Sequence, residues 1–392
     1  MNQRQLGLIK DVIQRDIDAG VLAGASVLVH QSGWEQFYCQ AGMADREQKK
    51  SIERDSIFRL YSMSKPITGA ALMLLMDRGM VDIHDPVSRY LPGFENQIVH
   101  APDGTVPAVR AVTLKDLLGM VSGLPYWDEN LAKECKLDKL LSPDELRHFV
   151  EDDLDTVETA NLLGKAGLLF QPGESYRYGT STDIIGAVVE VASGKQFGQF
   201  LKDEFFDPLG MPDTGFFIDP SKGGRLANVY RETPQGLELY EADHLGVLNK
   251  PFSSPAYESG GGGLLSTLDD YMKFATMLLQ EGSFGTTRIL SPAAVEYFTE
   301  PQLNDVQLAA FHKDMPHHNG YNYANFLRIM TEPGKAILNG SHGEYGWDGW
   351  LGCYFMNDPV NEMTILVMMQ KVDAGTIPMT RKVRNLIFSA ID

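Results

Sequence analysis

The chain of 392 residues has only three cysteines, Cys39, Cys135 and Cys353. They are far apart, their number is odd, and no two of them form a C-x-x-C pair. A disulfide framework and a structural zinc site are therefore not expected. The nine histidines never form H-E-x-x-H, so the sequence gives no support to a catalytic metal site either.

Long apolar runs are also missing. The sequence contains no stretch of about 18 apolar residues that would cross a membrane as a helix. The first residues, Met1–Leu6, lack the apolar core of a secretory signal, and Leu6, Ile9 and Ile13 recur instead at helical spacing among charged residues. We therefore expect an amphipathic N-terminal helix, a cytoplasmic protein and no membrane partner.

Basic residues are outnumbered. Lysine and arginine number 34 against 52 aspartates and glutamates, and the formal net charge is −18. Such a chain repels nucleic acid and anionic lipid, so neither is an expected partner. Hydrophobic residues at 43% and charged residues at 22% are ordinary for a globular protein. The length fits one large domain with an inserted lobe, or two domains.

Two familiar glycine motifs are absent. There is no G-x-S-x-G elbow, which argues against an α/β-hydrolase. The glycine run in Ser259–Ser266 matches neither G-x-G-x-x-G nor G-x-x-x-x-G-K-[ST]. It predicts a flexible turn that leads into a helix from Leu268 to Leu279, rather than a phosphate-binding loop.

The most informative residues are Ser62 and Lys65, which form the only S-x-x-K in the chain. Residues three apart on a helix share one face. A lysine that burial or a nearby cation keeps neutral can take the serine proton, and the helix N-terminus favours the negative charge that develops in acyl transfer. Ser62 is therefore the candidate nucleophile and Lys65 its base. The alternative is that Ser62 caps the helix and Lys65 is solvated.

Two further segments place chemistry-bearing side chains beside glycines. Tyr178 lies between a Pro-Gly turn and an apolar helical pattern, where a phenol can relay a proton or simply be a half-buried ring. The segment Gly346–Gly352 holds Trp347 and Trp350 before a predicted strand. Its glycines allow a backbone N–H to approach a ligand as half of an oxyanion hole. The alternative is a tight turn with two packed tryptophans.

Strand and helix patterns are unevenly distributed. Strands are predicted near both termini, whereas the middle of the chain is helix and loop with many prolines. We predict an α/β (α+β) fold with one sheet built from both termini. We expect a single domain, residues 1–392, with an α/β lobe of about 1–84 and 255–392 and a helical lobe of about 85–254. The predicted terminal elements are strands at Ala25–His30, Gln36–Gln40, Leu351–Phe355 and Thr364–Met369 and a helix at Arg381–Ile391.

Together these segments resemble the serine β-lactamase and penicillin-binding-protein superfamily. The closest likeness is to its class C-related branch of family VIII carboxylesterases, D-amino-acid peptidases and acyltransferases. Ser62–Lys65 matches S-x-x-K, Tyr178–Thr180 stands where Y-x-N or Y-S-x is expected, and Trp347–Gly349 stands at the K-T-G position. Gly79–Val87 and Val112–Leu124 also follow the family pattern. The resemblance implies a β-lactamase-like fold, with an antiparallel sheet flanked by helices and an inserted, mainly helical lobe.

Three departures from the family pattern bear on the substrate. In members that cleave β-lactams, the K-T-G lysine helps to hold the substrate carboxylate. Trp347 cannot do this, and Asp348 would repel a carboxylate. Thr180 also lacks the amide of the usual asparagine. These changes favour a neutral, apolar ester or thioester over a β-lactam.

The resemblance implies a serine hydrolase that works through an acyl-enzyme on a small acyl substrate, with no cofactor and no metal. Ser62 would attack, Lys65 and Tyr178 would act as general acid and base, and the backbone N–H groups of Ser62 and Trp350 would form the oxyanion hole. Further residues are expected to bind the substrate, and the aromatic ones among them are equally well explained as core. These substrate-binding candidates are Trp347, Asp348, Gly349, Thr180, Tyr126 and Trp127.

Other functions share this scaffold. An acyltransferase, a D-amino-acid peptidase and a weak β-lactamase would use the same nucleophile. A catalytically inactive ligand-binding homologue is the alternative of another class. The sequence makes no prediction about the oligomeric state.

Overall fold

The computed structural model describes residues 1–126 and 154–391, so Trp127 and Cys135 lie outside the described residues. The α-helices are α1 Gln3–Asp18, α2 Ser64–Asp77, α3 Leu114–Leu118, α4 Thr156–Lys165, α5 Ser181–Ser193, α6 Phe197–Leu201, α7 Asp207–Leu209, α8 Leu268–Leu279, α9 Pro292–Thr299, α10 Asp305–Asp314 and α11 Pro378–Phe388. Single turns of 3-10 helix include Tyr61–Met63 and Pro316–His318.

The strands are β1 Gly24–Gln31, β2 Trp34–Asp45, β3 Lys50–Ser51, β4 Ile57–Arg59, β5 Ile98–Ala101, β6 Gly104–Pro107, β7 Tyr230–Thr233, β8 Gly236–Leu239, β9 Leu265–Thr267, β10 Ser283–Phe284, β11 Thr287–Arg288, β12 Tyr321–Ala324, β13 Leu327–Met330, β14 Tyr345–Asp348, β15 Tyr354–Asp358 and β16 Met363–Met369. Eight of them form the main sheet, in the order β12-β13-β14-β15-β16-β1-β2-β3.

Both ends of the chain meet at the centre of this sheet. Strand β1 pairs antiparallel with β16, from Ala25 opposite Met369 to Gln31 opposite Met363. Helices α1 and α11 cover one face with apolar side chains such as Leu6 and Ile13, and α8 packs on the other. The predicted antiparallel sheet built from both termini and flanked by helices is therefore confirmed.

The element bounds near the C-terminus differ from the prediction. Trp347 and Asp348 lie inside β14 rather than before a strand, and the next strand begins at Tyr354 rather than Leu351. Every residue of β14 is buried, so the alternation that marks a half-exposed strand is missing. The last helix spans Pro378–Phe388, so both of its ends lie three residues before the predicted ends at Arg381 and Ile391.

Helix α2 lies at the centre of the molecule. All of its residues from Ser64 to Leu75 are buried, and it packs against α5 and α9. The predicted helical middle of the chain also holds two hairpins, β5–β6 and β7–β8. One apolar core joins residues from both predicted lobes, and the division at about residues 85 and 254 stays a prediction. Within residues 1–126 and 154–391, no helix is both long and apolar enough to span a membrane.

Candidate active site

Ser62 lies in the 3-10 turn Tyr61–Met63 directly before α2, and its side chain is partly exposed. It does not cap the helix, because the N-cap position is Met63 and no side chain caps there. Tyr61 adopts a left-handed backbone with φ of 45°, a conformation that costs a non-glycine residue free energy and is frequent at functional sites. Ser62 therefore lies on a strained turn, and its side chain does not cap the helix.

Lys65 is fully buried one turn further along, so the alternative of a solvated lysine is wrong. Its Nζ lies 3.1 Å from Ser62 Oγ, 2.7 Å from the Tyr126 hydroxyl and 2.7 Å from the Gly261 carbonyl oxygen. Burial lowers the pKa of Lys65 to about 7, although the charge of Asp183 acts in the opposite direction. At neutral pH a large fraction of this lysine is thus a neutral amine.

Tyr178 stands on the other side of the amine, with its ring centroid 4.9 Å from Lys65 Nζ. The indole N–H of Trp347 donates to its hydroxyl at 3.1 Å. Burial raises the pKa of Tyr178, although hydrogen bonding to Ser62 and Trp347 lowers it in part. The next residue must be glycine, because a Cβ at Gly179 would overlap the Leu124 carbonyl oxygen. Tyr178 is therefore held as a neutral phenol beside the serine.

The glycine run contributes to the site directly. Ser259–Gly262 is buried, and the Gly261 carbonyl oxygen accepts a hydrogen bond from Lys65. The Gly261 N–H donates at 3.0 Å to Oδ1 of Asp183, a buried carboxylate on α5. The same oxygen accepts hydrogen bonds from the hydroxyls of Tyr257 at 2.7 Å and Ser259 at 2.6 Å. Asp183 thereby orients the carbonyl that contacts Lys65.

Asp183 and Gly261 were missed by sequence reasoning. In the sequence the glycine run predicts only a turn that leads into a helix, and Asp183 is one carboxylate among 52 acidic residues. A Cβ on Gly261 would lie 2.6 Å from Asp183 Oδ2, so glycine is needed for this close approach. Only the apolar residues around Asp183 in α5 hinted that its carboxylate is buried.

The turn after β14 lies against the segment that leads into Ser62. A Cβ on Gly349 would overlap the Leu60 carbonyl oxygen, so the absence of a side chain allows this turn to lie against the segment that leads into Ser62. The ring of Trp350 lies 4.9 Å from that of Tyr61. Within the described part of the chain, the backbone N–H groups of Ser62 and Trp350 donate to no other protein group.

The remaining substrate-binding candidates occupy different positions. Trp347, Asp348 and Thr180 are buried, at 1%, 8% and 4% exposure, so little of each is open to a substrate. Asp348 accepts from the Thr376 hydroxyl at 2.7 Å, and Thr180 donates to the Pro125 carbonyl oxygen at 3.2 Å. Contact of these three residues with a substrate stays a prediction.

Tyr126 lies directly beside the candidate base, because its hydroxyl contacts Lys65. Its ring packs edge-on against Tyr178, with centroids 5.7 Å apart. Burial raises the pKa of Tyr126 well above its ordinary value. The predicted partner in that pocket, Trp127, lies outside the described residues.

The contacts of Lys65 indicate what chemistry the site can perform. A neutral amine has two N–H groups and one lone pair. With the N–H groups directed to Tyr126 and Gly261, the lone pair faces the Ser62 hydroxyl and can accept its proton. Among residues 1–126 and 154–391, no cluster of three or more potential metal ligands lies together. The absence of a metal from the reaction stays a prediction.

Comparison with known families agrees with this geometry. The family model described as Beta-lactamase matches residues 9–385, which is nearly the whole chain. The chain belongs to the beta-lactamase family. The resemblance inferred from the S-x-x-K, tyrosine and K-T-G positions is thus confirmed, and so is the β-lactamase-like fold.

Two curated proteins and one solved structure match this chain over most of its length. Protein Rv1367c of Mycobacterium tuberculosis is 30% identical over 369 residues, which cover 91% of this chain and 88% of that protein. Esterase EstB of Burkholderia gladioli is 28% identical over 381 residues, covering 94% and 91%. The structure of EstCE1, described as a hydrolase with promiscuous acyltransferase activity, has a TM-score of 0.81 at 25% identity and covers 98% of this chain and 99% of its own. The chain is a serine hydrolase of this family.

Proposed function

We propose that this serine hydrolase cleaves a carboxylic ester through an acyl-enzyme on Ser62. The observation that carries the proposal is the 3.1 Å contact between Ser62 Oγ and the Nζ of Lys65. Because Lys65 is buried and its pKa is lowered to about 7, the amine is available as a base near neutral pH. A lysine with an ordinary pKa would be protonated and unable to accept the serine proton.

Tyr178 acts as the second proton carrier. When Ser62 attacks the ester carbonyl, its proton moves to Lys65, and the Tyr178 hydroxyl delivers a proton to the oxygen of the departing alcohol. The raised pKa of Tyr178 supports this role, since the residue begins the reaction as a phenol with a proton to give. The same two groups then deprotonate the water that hydrolyses the acyl-enzyme.

The backbone N–H groups of Ser62 and Trp350 bind the oxyanion of the tetrahedral intermediate. Two facts support this assignment: both N–H groups lack a protein acceptor within residues 1–126 and 154–391, and Gly349 packs directly against Leu60. A donor of this kind contributes about 3 kcal/mol to transition-state stabilisation in comparable enzymes.

An ester is favoured over a β-lactam by the residues at the K-T-G position. Trp347 donates to Tyr178 and Asp348 is negatively charged, so this strand offers no cation to a substrate carboxylate. Esterase EstB aligns over 94% of the chain, which supports the same substrate class. Acyl transfer is the second candidate, because EstCE1 is described as a hydrolase with promiscuous acyltransferase activity. D-peptide hydrolysis and weak β-lactam hydrolysis remain variants of the same acyl-enzyme chemistry.

The test is phosphonylation followed by turnover. Intact mass is measured after incubation with a fluorophosphonate probe, and hydrolysis is followed with p-nitrophenyl acetate and butyrate. The wild type is compared with Ser62→Ala and with the matched control Ser64→Ala. Ser64 is a buried serine of the same segment whose Oγ accepts from the Leu264 backbone N–H rather than facing Lys65.

We expect one added phosphonyl group and ester turnover in the wild type and in Ser64→Ala, and neither in Ser62→Ala. Turnover that survives Ser62→Ala would refute the mechanism. A folded wild-type protein that takes up no probe would favour an inactive ligand-binding homologue. Gas chromatography of products made with added methanol then separates transfer, which yields a methyl ester, from hydrolysis, which yields the free acid.

A further inference from the structure

A large cavity adjoins the proposed reaction centre. It encloses about 930 Å³ of space between protein atoms, part of it open to solvent. Tyr61, which precedes Ser62, lines it together with Gly262, which follows the carbonyl that contacts Lys65. Trp350, whose backbone N–H is assigned to the oxyanion, lines it as well. The cavity thus lies against three segments of the proposed reaction centre.

The charge of the cavity is opposite to that of the whole chain. The formal net charge of the protein is −18, yet the described residues that line the cavity include no aspartate and no glutamate. Two basic residues, Arg59 and Lys250, line it instead. Most of the remaining wall is apolar or aromatic, as at Phe216 and Tyr240. The cavity is therefore suited to an apolar chain that ends in a negative charge.

Arg59 lines the cavity and has no carboxylate partner among the described residues. Its guanidinium donates from Nη1 to the Ala227 carbonyl oxygen at 3.1 Å and from Nη2 to the Asn249 side-chain oxygen at 2.8 Å, and both acceptors are neutral. A guanidinium has five N–H donors, so three are left without a partner in the part of the chain that the structure describes. Burial lowers the pKa of Arg59, as expected for a cation without a carboxylate beside it.

The neighbouring arginines differ in this respect. Arg225 pairs with Asp213 at 2.6 Å, and Arg54 pairs with Asp269 at 2.8 Å. In an acidic chain, a partly buried guanidinium that faces a cavity without a carboxylate is unusual, because a buried charge is normally paired. A ligand carboxylate would supply the missing charge with the planar, two-point geometry that arginine favours.

We propose that the cavity binds the acyl or alcohol part of an ester substrate that ends in a carboxylate, and that Arg59 is the residue that binds this carboxylate. This inference rests on the proposed function, since it names the substrate class of the same site. It departs from the expectation of a neutral substrate, because the substrate now carries one carboxylate away from its ester group. The substrate carboxylate then lies at Arg59, and no negative group of the substrate lies near the reacting ester or near Asp348.

The test compares one charged and one neutral substrate. Mono-p-nitrophenyl esters of adipic, pimelic and suberic acid are measured against their methyl p-nitrophenyl diesters, which have the same chain without the charge. The readout is the ratio of kcat/KM for the acid to kcat/KM for the methyl ester. Because both substrates are measured on the same preparation, this ratio does not depend on the fraction of protein that is folded.

The variants are Arg59→Gln, Arg59→Lys and the control Arg231→Gln. Arg231 is an exposed arginine whose guanidinium lies 4.5 Å from the ring centroid of Tyr240 without lining the cavity, so its replacement removes the same charge nearby. We expect the wild type to favour the acid and Arg59→Gln to lower the ratio about 10- to 100-fold, the range for loss of a charged hydrogen bond. Arg59→Lys should keep part of the wild-type ratio, and Arg231→Gln should leave the ratio unchanged.

Calorimetry with the Ser62→Ala protein separates this inference from the proposed function. Monomethyl adipate should bind more tightly than dimethyl adipate, and Arg59→Gln should abolish the difference. Equal binding of the two compounds, or a ratio that Arg231→Gln lowers as much as Arg59→Gln, would overturn the carboxylate site while leaving the esterase intact. Selective binding without any turnover by the wild type would support the site and refute the esterase.

Discussion

In the proposed mechanism, the charge of Asp183 controls the pH at which Lys65 becomes an active base, and Asp183→Asn tests this. Burial lowers the pKa of Lys65 to about 7, and Asp183 opposes that effect. Asparagine keeps the Oδ1 acceptor used by Tyr257, Ser259 and Gly261, so the hydrogen bonds survive while the charge is removed. The pKa of Lys65 should therefore fall further in the variant.

The magnitude follows from the separation of the two charges. Lys65 Nζ lies 2.7 Å from the Gly261 oxygen, and the nitrogen of the same residue lies 3.0 Å from Asp183 Oδ1. Two such contacts across one glycine place the charges about 8 Å apart, and with an effective dielectric of about 20 they interact by about 2 kcal/mol. Since neutral Lys65 is the active form, the acid limb of kcat/KM should move to lower pH by about 1 to 2 pH units.

The assay is kcat/KM for p-nitrophenyl butyrate against pH at constant ionic strength, read at the isosbestic wavelength of nitrophenol. The control is Asp270→Asn, which removes another buried carboxylate whose partners, such as the Asp213 backbone N–H at 2.7 Å, are remote from Lys65 in the hydrogen-bond network. An acid limb that stays in place or moves to higher pH in Asp183→Asn would refute the reasoning. So would an equal shift in Asp270→Asn.

Three further changes have defined outcomes. Trp347→Phe removes the hydrogen-bond donor to Tyr178 and should lower kcat about 2- to 10-fold. The loss should be larger for ethyl butyrate than for p-nitrophenyl butyrate, because ethanol is the poorer leaving group and depends more on the proton from Tyr178. Equal losses with the two substrates would contradict this. Gly349→Ala should abolish phosphonylation while the circular dichroism spectrum is kept, because its methyl group displaces the oxyanion turn. Arg384→Met should cost about 3–5 kcal/mol in urea unfolding, since it leaves the fully buried Glu344 unpaired.

Local spacing in the sequence was enough to predict the candidate nucleophile and its candidate base. Ser62 and Lys65 are three residues apart, so any helix-like turn brings them together whatever the rest of the chain does. The sheet was equally accessible, because β1 and β16 are apolar runs of β-branched and bulky residues that predict strands locally. The antiparallel pairing of the two ends then followed from the resemblance to the family.

Local sequence patterns could not predict contacts between residues that are far apart in the chain. Lys65 is 61 residues from Tyr126 and 196 residues from Gly261, and Asp183 is 78 residues from Gly261. Neither Tyr126 nor Gly261 carries a signal of its role in its own segment. Strand β14 was missed for a related reason: its residues are buried on both faces, so no alternation marks it.

The sequence by itself predicted the candidate nucleophile and its candidate base, the family and the kind of sheet, because these depend on short spacings and on runs of apolar residues. Only the tertiary structure decided that Lys65 is buried, that Asp183 faces it across a glycine, and that Arg59 lines a cavity with no carboxylate among the residues that the structure describes. The physical reason is that the protonation state of a group depends on burial and on charges within a few ångströms. In this protein those charges come from segments that only the folded chain brings together.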